Sequence, residues 1–314
     1  MRYTLRQLEV FVAVARCESV SRAAEMLSLS QSAVSTALGG FERQFNSQLI
    51  DRVGKTSRLN ELGKQLLPNA VELLDRAREI EDLLQGKSGL GAIEIGATLT
   101  IGNYLATLIV ASFLQRHPES RIRLQVHNTA TIVQQVARYE LDLGLIEGDC
   151  HHPDLETQHW VEDELVVFCA PHYHLAKAPQ TITLAQLATE PWIMRERGSA
   201  TRETLDHAIH HQEKGRCAVP LNIRLELEHT EAIKRAVEFG LGIGCISRLA
   251  LHEAFRRGSL VPIATPYLDL RRQFQFVWHK QKYQTAGMRE FLALCRTLTA
   301  GVTRSDEIQL PLIV

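Results

Sequence analysis

Apolar residues recur at three- and four-residue spacing from the first turn of the chain. Leu5, Leu8, Phe11, Val12 and Ala15 form one face of a helix, and such a face needs a partner. The partner begins at Ser19-Val20-Ser21, where a serine can cap a helix carrying Ala23, Ala24 and Leu27. Ser28-Leu29-Ser30 reads as a tight turn, and Ser30 is placed to cap a third helix through Gln31, Val34, Leu38, Phe41 and Phe45. That helix divides into two faces. Val34, Ala37, Leu38, Phe41 and Phe45 fall on the packing side, while Gln31, Ser32, Ser35, Thr36 and Gly39 fall on the other. Small donors and acceptors near a helix N-terminus suit the reading of base edges in a DNA major groove. Gly39-Gly40 costs the helix about 1 kcal/mol per glycine relative to alanine; close approach to a phosphate backbone would account for it, a locally weak helix being the plainer alternative.

The pattern then changes. Residues 48–60 alternate short extended pieces around Gly54, and Arg52, Lys55 and Arg58 would lie near phosphates, supplying affinity and register but little sequence information; an ordinary basic loop is the alternative. Residues 62–85 read as one helix, with Leu66, Ala70, Leu73, Ala77, Ile80 and Leu84 in a heptad seam. This seam is expected to pair with a second copy, having little to bury against in its own chain, and Pro68 is expected to kink its first turns. Gly86-Lys87-Ser88-Gly89-Leu90-Gly91 reads as a linker. Beyond it, strand and helix patterns alternate: strands near 92–96, 121–126, 143–146, 164–170, 192–194, 222–227 and 244–246, with helices near 104–116, 132–139, 201–211 and 230–239. Alternation of this kind predicts parallel sheets covered by helices.

The N-terminal residues Leu5-Arg6-Gln7-Leu8, Phe11, Val14-Ala15, Ser19, Ala23-Ala24, Leu27 and Ser30-Gln31-Ser32-Ala33-Val34-Ser35, then Glu42, Leu49 and Arg52, resemble the winged helix-turn-helix of the LysR-type transcriptional regulators. Departures from that pattern are Ser32 for proline, Phe41 for leucine, Asn46 for glycine, and Asn60-Glu61 before Gly63. Asn46 tolerates the left-handed conformation of a helix end. The resemblance implies a winged helix-turn-helix over residues 1–60, a dimerising linker helix and hinge over 61–88, and an α/β effector domain over 89–300. That domain would have two lobes, like a periplasmic binding protein, with lobe I at 90–163 and 269–300 and lobe II at 164–268. Residues 301–314 lack a period and are expected to form a mobile tail.

Ligands in open α/β folds sit beyond the carboxyl ends of the strands. Three stretches qualify: Thr98 and Thr100 before the 104–116 helix; Arg195, Arg197, Gly198, Ser199, Thr201 and Arg202; and Asn128-Thr129 with Glu147. Hydroxyls, backbone N–H groups and guanidinium forks suit a small oxyanion, although capping and bridges from the arginines to Glu196 or Glu203 are the bland alternatives. Glu147 is awkward in an anion site, and implies either an arginine partner across the cleft or a ligand that also bears a donor. Thr98-x-Thr100-Ile-Gly-Asn-Tyr104 and Arg-Glu-Arg-Gly-Ser-x-Thr-Arg202 resemble the YeiE-like branch of the family, near regulators of sulfur and inorganic-carbon assimilation. The implied effector is a small anion such as sulfite or sulfate, with a small carboxylate second, and no cofactor. Implied partners are double-stranded DNA and further copies of the chain as a dimer or tetramer, with RNA polymerase a further candidate.

Composition narrows the classes further. Of 314 residues, 45% are hydrophobic and 23% charged, as in globular proteins. No apolar run reaches the ~20 residues that span a bilayer, and a cytoplasmic, membrane-free protein is expected. Residues 1–60 carry eight Lys and Arg against five Asp and Glu, whereas the whole chain is at −1; the basic end is the helix-turn-helix end. Six scattered cysteines imply reduced thiols rather than a disulfide framework. His151-His152, His172, His174, His207 and His210-His211 lack zinc-ligand spacing and read as surface residues. No nucleophile-base set sits on a strand-to-helix elbow, so a non-enzymatic regulator is expected. The rival reading is a two-lobed enzyme or solute-binding protein.

Overall fold

The computed structural model describes residues 2–53, 56–86, 89–177, 182–212 and 220–308, with the side chains of Arg52 and Val53 outside that set. The N-terminal unit is α1 (Leu5–Cys17), α2 (Val20–Met26) and α3 (Gln31–Gln44), followed by an antiparallel hairpin of β1 (Ile50–Val53) and β2 (Thr56–Leu59). Its boundaries are set by caps. Thr4 and Gln7 form a capping box on α1, and the Ser19 and Ser30 hydroxyls accept the Arg22 and Ala33 N–H groups. Asn46 takes the left-handed conformation at φ 48°. Phe11, Val14, Val34, Leu38 and Phe41 fill the core, while Phe45, expected on the packing face, is half exposed at the helix end.

α4 (Glu61–Leu84) is one helix with Pro68 inside it. Asn60 caps it, its Oδ1 accepting Gly63 N–H at 2.9 Å while its Nδ2 donates to Gln48 O at 2.7 Å. A Cβ on Gly63 would lie 2.2 Å from the Leu49 carbonyl oxygen, so the wing docks only against glycine. One expectation needs correction. α4 does have a partner within the chain: Leu67, Ala70, Val71 and Leu74 are buried in the N-terminal core. The helix carries two apolar stripes. Leu66 and Leu73 are half-buried on the second, Ala77 is intermediate, and Ile80 and Leu84 are exposed. An apolar groove of about 430 Å³ runs between this stripe and the N-terminal unit, lined by Tyr3, Phe41, Phe45, Leu62, Leu66 and Leu73.

The remainder is α/β. β3 (Ala92–Thr98) leads into α5 (Leu99–Ile101), a π-helical turn (Gly102–Ala106) and α6 (Thr107–Arg116); β4 (Arg121–His127), α7 (Thr129–Ala137) and β5 (Leu143–Glu147) follow. A 15-residue strand, β6 (Leu155–Cys169), crosses to the second lobe. That lobe holds α8 (Leu184–Thr189), β7 (Trp192–Arg195), α9 (Ala200–Gln212), β8 (Ile223–Leu227), α10 (Thr230–Glu238), β9 (Ile243–Ser247), α11 (Arg248–Arg257) and β10 (Val261–Pro262). β11 (Arg271–His279) and α12 (Ala286–Leu298) return to the first. The strand order is β4-β3-β5-β11-β6-β9-β7-β8. β3, β4 and β5 are mutually parallel, as are β7, β8 and β9, whereas β6 and β11 run antiparallel to each other through the junction. Phe113, Phe274, Phe276 and Phe291 centre one core; Trp192 and Leu205 on one face, and Phe168 and Ile233 on the other, centre the second lobe.

The helix expected from residue 104 in fact starts at Leu99, directly after Thr98 ends β3, so residues 99–103 are helical rather than loop. Residues 301–308, expected in a mobile tail, pack on β6: Glu162 N–H donates to Thr303 O, and Arg304 pairs with Glu164 at 3.0 Å. Residues 309–314 lie outside the described set. The N-terminal unit also docks on the first lobe. Tyr139, at φ 58°, is buried in the N-terminal core and its hydroxyl meets His279 Nδ1 at 2.7 Å. Lys282, 2% exposed at its side chain, lies 2.6 Å from Asp75 of α4 and 2.7 Å from Asp142.

Candidate functional site

Two sites stand out, one at each end of the chain. On α3, Gln31, Ser32 and Thr36 are exposed and Ser35 is half exposed. The Ser32 hydroxyl lies 3.0 Å from that of Ser30, so the cap also orients it. A Cβ added at Gly39 would meet nothing within 4 Å; packing inside the chain gives no reason for that glycine. Glu42 ties α3 to the wing, its Oε1 accepting Leu49 N–H at 2.8 Å and Ile50 N–H at 3.3 Å. Arg58 is exposed on β2. Lys55 and the Arg52 side chain lie outside the described residues.

The second site is between the lobes. The carboxyl ends of β3, β5 and β7 bring Thr98, Thr100, Glu147, Arg195, Ser199 and Thr201 into the interior, all buried. At their centre is a residue that the strand-end reasoning missed, Arg272 of β11. Its guanidinium lies 2.7 Å from Glu147 Oε2 and 2.7 Å from Asp163 Oδ2, and donates to Thr201 Oγ1 at 3.0 Å and Thr100 Oγ1 at 3.4 Å. Glu147 Oε1 accepts Thr100 N–H at 2.8 Å, and Oε2 accepts from Thr201 Oγ1 at 3.5 Å. Asp163 Oδ1 accepts the Ser247 and Ser305 hydroxyls at 2.7 and 2.5 Å. Burial alone would raise the Glu147 carboxyl. Arg272, then Arg195 and the Thr100 and Thr98 donors, outweigh it and hold the group below its ordinary value. Burial would lower Arg272, but Glu147 and Asp163 more than offset it.

Other expected residues do different work. Arg195 forms a two-pronged pair with Glu196 at 2.8 and 2.9 Å, the bridging alternative raised by the sequence. Arg202 pairs with Asp206 at 2.9 Å and Glu226 at 3.5 Å, and donates to Arg195 O. Arg197 is exposed. Asn128 caps α7 by accepting Thr131 N–H at 3.0 Å, and Thr129 is buried beside it. The lobes touch here. Ala130 N–H donates to Gly198 O at 3.2 Å, and Gly198, at φ 83°, could carry a Cβ only against Ala130. Tyr104 donates to Glu231 across the same cleft. Arg272 had a signal in the sequence: Arg272, Phe274, Phe276 and Trp278 share one face at period two. An arginine aligned with three buried aromatics is a cation committed to the interior. Among the described residues no group of three or more His, Cys, Asp or Glu is placed to hold a metal ion, and no helix is long and apolar enough to cross a membrane.

Comparison with known proteins agrees with this division. Residues 5–64 match the model of the bacterial regulatory helix-turn-helix protein, lysR family, and residues 87–300 match the LysR substrate binding domain. The chain is 44% identical over 296 residues to an uncharacterized HTH-type transcriptional regulator, YeiE, of Escherichia coli, covering 94% of this chain and 98% of that one. The regulatory domain of Synechocystis PCC6803 CcmR, solved in complex with 2-PG, is 26% identical at a TM-score of 0.61, covering 68% of this chain and 99% of that one. ArgP from Mycobacterium tuberculosis, at 17% identity, shares the fold with a TM-score of 0.73 over 95% of this chain and 98% of that one. With a capped helix-turn-helix unit at the N-terminus and a two-lobed α/β domain after it, each matched by its own family model, the chain belongs to the LysR family of DNA-binding transcriptional regulators.

Proposed function

We propose that this regulator responds to a small anion, a sulfur oxyanion such as sulfite or sulfate or else a small carboxylate, held between the lobes at Thr98, Thr100, Ser199 and Thr201. The observation that carries the reading is the convergence of the Thr100 N–H, the Thr201 hydroxyl and the Arg272 guanidinium, from both lobes, on a single carboxylate. Donors so arranged suit an oxyanion. The CcmR regulatory domain, solved in complex with 2-PG, supports a small-molecule occupant for the same kind of domain. Arg195 and Arg202 act as supports, being engaged by their own carboxylates.

On the DNA side, Gln31, Ser32, Ser35 and Thr36 read bases, and Arg52, Lys55 and Arg58 hold phosphates. The regulator works in the cytoplasm as a dimer, or a tetramer built from dimers. Leu66, Leu73, Ala77, Ile80 and Leu84 supply the intermolecular stripe, and the groove beside it takes a second copy. The effector regulates by preferring one quaternary arrangement, since it can shift an equilibrium only by its difference in affinity. Calorimetry of sulfite, sulfate and glycolate on wild type, Thr100→Val and Thr201→Val tests the effector reading. Binding by wild type that each substitution weakens about tenfold, the worth of one hydrogen bond to a charged group, is expected. Failure of every anion to bind wild type, or undiminished binding by both variants, refutes it.

A further inference from the structure

The donors that an anion would use already hold one. Glu147 takes Thr100 N–H, the Thr201 hydroxyl and an arm of Arg272, and it does so as a side chain of the first lobe bound to a residue of the second. Glu147 therefore bridges the two lobes by itself. The charges around this carboxylate also leave no place for a second one. Arg272 and Arg195 supply two buried cations, matched by the two buried carboxylates of Glu147 and Asp163, with Glu196 part-exposed beside Arg195. The other arm of Arg272 is fixed by Asp163, whose second oxygen is held by two serines. The groups facing Glu147 are Arg272 from β11, Arg195 from β7, Thr98 and Thr100 from the end of β3 and α5, and Thr201 from α9; Asp163 of β6 and Cys245 of β9 reach it through Arg272. A further anion in a buried set whose charges already balance is opposed by desolvation and by like-charge repulsion from Glu147, because two carboxylates that share a site do not both stay ionised.

Building on the effector reading above, we infer that Glu147 is a tethered stand-in for the effector anion, and that binding is an exchange in which the anion takes over Thr100, Thr201 and Arg272 while Glu147 takes up one proton. The anion brings one negative charge and the proton one positive, so a monoanion leaves the buried set at its original charge. Protonated, Glu147 can donate a hydrogen bond to an oxygen of the anion that has displaced it. The exchange makes affinity pH-dependent, falling about tenfold per pH unit from the titration of the free Glu147 carboxyl, which lies below its ordinary value, up to that of the ligand-bound carboxyl, and levelling off beyond it.

Two experiments on the full chain test this. The first is calorimetry with glycolate, a monoanion that does not itself titrate between about pH 6 and 8, in buffers of different ionisation enthalpy. Wild type is expected to take up close to one proton per anion bound, and Glu147→Gln to bind at higher pH as tightly as wild type does at lower pH, with no proton uptake. The second is thermal melting of Glu147→Ala with formate against a chloride control. Formate is expected to fill the emptied seat and raise the melting temperature saturably, at lower concentration in the variant than in wild type, where Glu147 competes for the same donors. Should the alanine variant not fold, the glutamine variant, which keeps the volume, decides alone. Anion binding by wild type without proton uptake, at an affinity unchanged in Glu147→Gln, overturns the exchange and leaves the anion reading standing. No binding by wild type together with formate rescue upholds the tethered carboxylate and overturns the anion reading. Absence of both effects overturns the two together.

Discussion

Replacing Lys282 by methionine removes the ammonium that joins Asp75 of α4 to Asp142 of the first lobe. Methionine keeps most of the length and apolar stem, so the perturbation is mainly electrostatic. Breaking a buried pair by removing one partner costs about 3–5 kcal/mol because the remaining charge is left uncompensated. Here the cost is smaller for two reasons. Arg78 still lies 3.2 Å from Asp75, and a polar cavity of about 410 Å³, bordered by Arg16, Asp75 and Asp142, lets water reach the orphaned carboxylates. About 2 kcal/mol is the resulting expectation, equivalent to roughly a thirtyfold shift toward the undocked state. Hydrogen exchange read by mass spectrometry on peptides from α1, α4 and residues 139–142 measures that equilibrium directly. Faster exchange is expected at the α4–lobe contact, with the strands of the second lobe unchanged. The double variant Lys282→Met with Asp75→Asn should be no worse than Lys282→Met alone, since one of the two carboxylates it strands is gone. An exchange increase below about threefold, or full additivity of the two substitutions, would refute the reasoning.

The DNA face gives a paired expectation: Gln31→Ala relaxes sequence preference, whereas Arg58→Ala weakens all sites alike and reduces the salt slope by about one; fluorescence anisotropy at several salt concentrations separates the two, and no change in either variant removes the groove assignment. Charged residues at Leu73 and Ile80 together should yield monomers with poor operator affinity, because two half-sites can no longer be engaged at once, and an intact dimer in sedimentation would count against the stripe. Burial beside Tyr139 pushes the His279 imidazole below its ordinary value. The unfolded chain therefore binds the proton more readily, so this contribution to stability is intact above about pH 6.5 and is lost as pH falls below it toward the folded value. Melting curves at neutral and mildly acid pH should show a loss that His279→Gln largely abolishes, and an equal acid sensitivity in that variant would contradict the assignment.

Local rules made the N-terminal unit legible. Caps at Ser19 and Ser30, the left-handed Asn46 and the apolar face of α3 act within a few residues of each other, where sequence spacing and spatial spacing are the same thing. The alternation of strands and helices fixed the α/β class for a similar reason, as did the placement of Thr98, Thr100 and Thr201 at strand ends. Period-two and period-3.6 patterns say which face is buried but not against what. α4 illustrates this. Its two apolar stripes overlap in sequence, and only the tertiary structure assigns Leu67, Val71 and Leu74 to the chain's own core and leaves Ile80 and Leu84 outside it. The same limit hid Arg272. Its alignment with Phe274 and Phe276 marked it as buried, but its partners, Glu147 and Asp163, lie more than a hundred residues away and come together only because β6 and β11 cross between the lobes. A buried ion pair is a property of two distant segments arriving at one place, and it was the sheet order, with β11 between β5 and β6, that decided which carboxylates that arginine would meet.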